Sequence, residues 1–143
     1  MSLTKIKASK ILFIKLGEGG KYEKECIINK NILKLGYQEI DHKICANKDW
    51  GKVHNFIMNE YHVIQGVATN HTNQIKQFYE EDETTLWITF YANKLWWCFS
   101  KPQITYLKDN TKTRPVIGSW SDKDIDGNLL LSGNLSGELL KTQ

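Results

Sequence analysis

Arginine is almost missing from this chain: Arg114 is the single one among 19 basic residues. Guanidinium forks are the usual device for two-pronged reading of guanine edges and for clamping phosphates, so extended major-groove readout is disfavoured. Cysteine is scarce as well. Cys26, Cys45 and Cys98 are an odd set at irregular spacing, which is no disulfide framework, and they are expected as free thiols in a reducing cytoplasm. No apolar run is long enough to cross a membrane, and no signal-type hydrophobic segment follows the Lys-rich start. Catalytic signatures are missing too: there is no G-x-S-x-G or H-E-x-x-H, and GEGG at residues 17–20 is not followed by GK[ST]. Cys26, His42, Cys45 and His54 match none of the compact zinc spacings. Cys98 lies in an aromatic strand, where burial would blunt a thiol. The carboxylates of residues 80–83 sit in an acidic loop that would not hold one protonated beside another ionised. The expectation is therefore no metal, no cofactor, and no enzyme activity in this chain by itself.

What is there fits one domain of 143 residues, with 41% apolar and 24% charged residues. The net charge of +3 is unevenly spread: residues 1–76 carry 12 Lys against 7 acids, whereas residues 77–143 carry 7 basic residues against 9 acids. A basic N-terminal half attracts phosphate through diffuse electrostatics, or is simply a solvated surface.

Hydrophobic periodicity supplies the elements. Residues 10–16 (KILFIKL) read as a buried strand, broken by Gly17, Gly19 and Gly20. Residues 22–29 read as a short helix and residues 32–37 (ILKLGY) as a second strand. Asn47 or Asp49 caps a helix running to about Tyr61, with Trp50, Val53, Phe56 and Ile57 on one stripe. Gly66 is expected to end that region. A second helix is expected to open near Asn70 to Asn73, carrying Ile75, Phe78 and Tyr79 on one face. Residues 86–91 and 95–99 form a hairpin around Ala92-Asn93, with Trp87, Thr89 and Tyr91 on one face and Leu86, Ile88 and Phe90 on the other. Residues 104–107, 113–119 and 129–131 are further strand candidates. Consecutive late strands favour an α+β fold: a small, curled, mostly antiparallel β-barrel with two or three flanking helices.

Three features carry candidate chemistry. GEGG lies between a strand and a helix, the order of a phosphate cradle and also that of a tight turn. Five Trp in a small chain are enough for a core with some to spare. Trp96 and Trp97 must face opposite ways, and Trp120 follows Gly118-Ser119 at a strand end, so Trp97 or Trp120 is available as a pocket wall. Asn70, Thr72, Asn73 and Gln74 exceed what one helix cap needs, leaving carboxamides for the edge of an extruded base.

The order of parts carries a resemblance. ILFIKL, a helix, ILKLGY, then Asn73-Gln74 leading Ile75-Lys76-Gln77-Phe78 into LWITFY, LWWCFSK and QITYL resembles the PUA-like superfamily, specifically its EVE and YTH type readers of modified bases. The resemblance covers residues 10–107 and implies one such domain over residues 10–143, after a tag or disordered start at 1–9. Residues 38–68, with the Trp50 helix, would be a helical insertion. Asn73 and Gln74 would sit at the rim of a base pocket beside Leu35, Gly36 and Tyr37, with Tyr22, Tyr37, Trp97 and Trp120 as candidate walls. Lys15, Lys21 and Lys34, with Gly19 and Gly20, would meet phosphates. Such domains often open modification-dependent restriction proteins, so the implied partner is nucleic acid, DNA rather than RNA. The closing GNLSGELLKTQ, without an obvious stop, suits a C-terminal effector domain or partner subunit. The expected function is a specificity module for a modified, flipped base in a restriction or defence system. The competing reading is a sensor for a protein or small molecule that uses the same aromatic pocket.

Overall fold

The computed structural model describes residues 7–134, and the structural statements below concern those residues. The chain is mixed α+β, with two three-stranded sheets and helices packed against them. The first sheet places β3 (Thr85–Tyr91) between β1 (Lys10–Phe13) and β4 (Lys94–Phe99). The second places β6 (Lys112–Pro115) between β2 (Ile32–Leu35) and β5 (Thr105–Tyr106). Pairing is antiparallel except for β1 on β3, which runs parallel with Leu12 opposite Trp87. The sheets meet at one corner, where Ser100 bridges Val116 and the Ile117 amide donates to the Phe99 carbonyl at 2.8 Å. No closed barrel is detected among the described strands.

The hairpin forms as its turn residues dictate. Ala92 and Asn93 both take positive φ, 54° and 61°, the pair of left-handed residues that matches strand twist across a two-residue connection. Strand alternation then sorts the side chains. Trp87, Tyr91, Trp96 and Cys98 join the main core, while Leu86, Ile88, Leu95, Trp97 and Phe99 form a smaller cluster on the opposite face.

The 38–68 stretch holds α1 (His42–Ala46), α2 (Trp50–Tyr61) and the start of α3 (Gln65–Glu80). Asp49 caps α2 by accepting from the Lys52 amide at 3.3 Å. The expectation for α3 is corrected. The helix opens at Gln65, with Gly66 inside its first turn, so Asn70 to Gln74 lie mid-helix rather than at its start. Ile64 precedes it without a side-chain cap, so the usual sequence signal for a helix start is missing. Packing of Ala68, Thr72, Ile75 and Phe78 stabilises the helix in place of a cap. The outer strands are shorter than their hydrophobic runs: β1 stops at Phe13, β2 at Leu35, and residues 129–131 contribute only isolated bridges. No helix among the described residues is long and apolar enough to cross a membrane.

Candidate functional site

A cavity of about 830 Å³ opens where the turn after β1, the turn after β2, α3 and the floor of the first sheet converge. His71, Gln74 and Gln77 line it from α3, a series of i+3 steps that stays on one side of a helix. Asn73 is one residue from Gln74 and therefore about 100° around the helix. It is exposed and does not line the cavity, which corrects the Asn–Gln pair to Gln74 alone.

Tyr37 supplies one wall. It sits just past β2 at φ 46°, and its hydroxyl lies 2.6 Å from His71 Nδ1 and 3.3 Å from Gln74 Oε1. A left-handed tyrosine is strained, and β6 with its preceding turn holds it there. The buried Lys112 ammonium donates to the carbonyls of Tyr37 and Ile40 at 3.0 and 2.8 Å, and the Asn110 amide donates to those of Gln38 and Ile40. Tyr61, at the end of α2, meets the His71 ring edge-on at 5.6 Å.

Tyr22 supplies a second wall. Gly17, at φ 83°, lies against its ring: a Cβ there would stand 2.6 Å from Tyr22 Cδ2. Lys34, 6% exposed, sits 4.5 Å from the ring centroid and donates to both Glu25 carboxylate oxygens at 3.1 Å. Burial opposes the charge of Glu25, but hydrogen bonds from Lys34 and Lys30 outweigh it and hold this carboxyl below its ordinary value. Lys34 is thus an internal ion-pair partner rather than a phosphate contact.

The glycine loop closes on itself. The amides of Gly17, Gly20, Lys21 and Tyr22 donate to Lys15, Gly17, Glu18 and Leu16 carbonyls, so they are not free to cradle an anion. The Glu23 carboxylate lies against Gly20, where a Cβ would come within 1.6 Å of its oxygen. Gly19 has open space around it and lies outside the cavity lining. Lys15 and Lys21 are exposed and line the cavity, and Glu18 and Glu39 line it too and balance their charge.

Neither expected tryptophan belongs to this cavity. Trp97 lies on the opposite sheet face, edge-on to Phe99, with its indole N–H donating to the Lys123 carbonyl at 2.8 Å. Trp120 is 5% exposed and donates to the Ile32 carbonyl at 3.1 Å. The indole at the cavity is Trp87, on the core face of β3. Strand alternation places Trp87 with the core, but neither it nor His71, Tyr61 and Gln77 carries a local mark of the cavity. Among the described residues no group of three or more His, Cys, Asp or Glu is placed to hold a metal.

Burial, with Glu39 adding to it, pushes the Tyr37 phenol up to about 12 from an ordinary 10.0. Burial also pushes the Cys26 thiol up to about 12 from 9.0. Both groups are favoured neutral in the folded chain, so the unfolded chain ionises first as pH rises. The contribution of these two groups to stability is expected to be full below pH 9 and to fall from there toward pH 12. Urea midpoints across this window should flatten in Tyr37→Phe by about 2 kcal/mol. An equally steep loss in that variant would remove Tyr37 as a contributor.

Comparison with protein-family models, with curated proteins and with solved structures finds no match to this chain.

Proposed function

We propose that this domain is a nucleic-acid-binding specificity module that takes one flipped, modified base into the cavity between Tyr22 and Tyr37. The observation that carries the reading is the conjunction, in the lining of one cavity of about 830 Å³, of Tyr22, Tyr37 and Gln74. That volume suits a nucleoside-sized guest. A base stacked on one phenol ring gains about 1–3 kcal/mol, enough to offset a few kcal/mol of unstacking when two rings contribute. The Tyr37 hydroxyl engages Gln74 Oε1, so the Gln74 NH₂ is left for an acceptor on the base edge. The setting we propose is cytoplasmic, on DNA, in a restriction or defence system, with the two sheets as parts of a curled PUA-like barrel joined at the Ser100–Val116 corner.

Lys15 and Lys21 are the phosphate contacts of this reading. Two contacts give a salt dependence of log K with a slope of roughly −1.4 to −1.8, shallow for a DNA-binding protein. Fluorescence anisotropy with labelled DNA and RNA, plain or carrying one modified base, should show tighter binding to a modified DNA. Tyr22→Ala and Gln74→Ala are each expected to abolish that preference while retaining the fold by circular dichroism. No binding to any oligonucleotide, or a preference unchanged in both variants, rejects the reading. One observation favours the alternative of a sensor for a small molecule or peptide: the mouth is electrically balanced, with Glu18 and Glu39 against Lys15 and Lys21. A salt slope of zero for the bound ligand would select that alternative.

A further inference from the structure

A phenol hydroxyl has one proton to give, so a tyrosine placed between two acceptors satisfies only one of them at a time. Tyr37 is in that position. Its hydroxyl lies 2.6 Å from His71 Nδ1 and 3.3 Å from Gln74 Oε1, and all three residues line the cavity. Burial, with Glu39 adding to it, pushes this phenol up to about 12, so Tyr37 keeps its proton near neutral pH. His71 is half-buried and Gln74 is exposed, so the free edge of the carboxamide is accessible.

Counting protons along these three groups gives two arrangements. An imidazolium carries a proton on Nδ1 and only donates. Tyr37 then receives from His71 and gives its own proton to Gln74 Oε1, which leaves the Gln74 NH₂ free. In a neutral imidazole with Nδ1 unprotonated, the phenol is the proton donor of the pair. Tyr37 then gives to His71, and its oxygen receives from Gln74. A half-turn of the carboxamide brings NH₂ to the phenol at the same distance and leaves Oε1 free. The three side chains make one hydrogen-bonded chain with two directions, and reversing it exchanges a donor for an acceptor at the far end.

We propose that His71 is a positioning residue that sets the hydrogen-bond polarity of the cavity: acting through Tyr37, it makes Gln74 select an acceptor on the guest when charged and a donor when neutral. The proposal rests on the base-binding reading and deepens it, because a keto base and an amino base of the same outline are then told apart according to pH. The groups around His71 leave it free to play this part. From α2, Tyr61 meets the ring edge-on at 5.6 Å, and His54 is engaged with Thr69 at 3.2 Å. From the turn after β2 come Tyr37 and Glu39, with the Lys112 ammonium held by the Tyr37 and Ile40 carbonyls behind them. From the turn after β1, Lys15, Glu18, Lys21 and Tyr22 line the same hollow. From α1, His42 is occupied by Tyr79, two turns further along α3. On α3 itself the residues one turn away, Val67, Ala68, Gln74 and Ile75, are uncharged. Among the described residues no salt bridge holds His71 in one charge state.

The test measures affinities of the full chain for short single-stranded DNAs from about pH 5.5 to about pH 8, the range in which histidine changes charge. The probes differ in one central base and come in keto and amino pairs: thymine with 5-methylcytosine, uracil with cytosine, hypoxanthine with adenine. Titration of Glu18, Glu39 or any phosphate contact alters both members of a pair alike, so the keto-to-amino ratio isolates the edge of Gln74. That ratio is expected to change about tenfold across the range in at least one pair. Acid favours the keto base where Gln74 meets the exocyclic group, and the amino base where it meets the adjacent ring nitrogen. Tyr37→Phe, which breaks the chain at its middle, should make the ratio independent of pH. If that variant does not fold, His71→Gln, which cannot titrate, should do the same. Without any guest, the Gln74 NH₂ signals of ¹⁵N-labelled protein, assigned by their loss in Gln74→Ala, should move over the same pH range as the His71 ring nitrogens. Probes that bind with a level ratio in every pair overturn this inference and leave the base-binding reading standing. Failure of every probe to bind overturns both.

Discussion

Arg114→Ala is expected to lower the free energy of unfolding by about 3–5 kcal/mol, the largest single-residue effect in this chain. Arg114 is 0% exposed, and among the described residues no carboxylate forms a salt bridge with it. Its hydrogen bonds go instead to the Phe78 carbonyl at 2.9 Å, the Lys101 carbonyl at 3.0 Å, and Ser100 through both its hydroxyl at 3.3 Å and its carbonyl at 3.4 Å. Phe78 lies in the last turn of α3, where carbonyls have no intrahelical donor. One side chain therefore satisfies a helix end and the corner where the two sheets meet. Burial pulls the guanidinium below its ordinary value, with Glu81 pulling the other way, yet an arginine stays charged through the range in which proteins fold. Removing it strands several buried acceptors at about 1–3 kcal/mol each and leaves a cavity under Trp87. Urea denaturation at neutral pH measures the loss. Arg114→Lys, which keeps the charge but not the fork, should fall between the two. A change under about 1 kcal/mol for the alanine variant would show the carbonyls to be hydrated rather than dependent on Arg114.

Gly17→Ala is expected to cost about 2–4 kcal/mol and to weaken guest binding at the same time. Gly17 has φ 83° and ψ 162°, a region that essentially only glycine occupies. An added methyl would stand 2.6 and 3.1 Å from the Tyr22 ring and 2.9 Å from the Lys21 chain. The ring must turn, and it is a wall of the cavity. Gly19→Ala is the control, because Gly19 also has positive φ, 65°, but open space beside it. That variant should lose only about 1 kcal/mol and bind as the parent does. Equal losses in stability and binding for the two variants would mean that backbone strain, and not the Tyr22 contact, explains Gly17.

Several parts of this architecture were legible locally. Ala92-Asn93 between two alternating aromatic runs specifies a hairpin, and Asp49 before the Trp50 stripe specifies α2, because turn dihedrals and helix caps are settled within three or four residues. Tyr22, Tyr37, Gln74, Lys15 and Lys21 do line one cavity. Where the reading failed, the missing information was long-range. The opening of α3 has no capping side chain and is held by packing against α2 and the core, which no window of the sequence displays. Trp97, adjacent to Trp96 on the opposite sheet face, and Trp120, at a strand end, read from the sequence as available, but each is satisfied by a carbonyl 26 or 88 residues away in sequence. Lys34 looked like a surface cation until Glu25 and Tyr22 enclosed it.

By itself the sequence determined the alternation of the hairpin faces, the end of α2 near Tyr61 and the scarcity of arginine that limits how nucleic acid is met. Only the tertiary structure decided that β1 lies parallel on β3, that Gln74 and not Asn73 faces the hollow, and that Trp87 is the indole left without an acceptor. The division has one cause. Dihedral preference and side-chain period act over a few residues, whereas the pairing of donors with acceptors across a core depends on which distant surfaces are brought together.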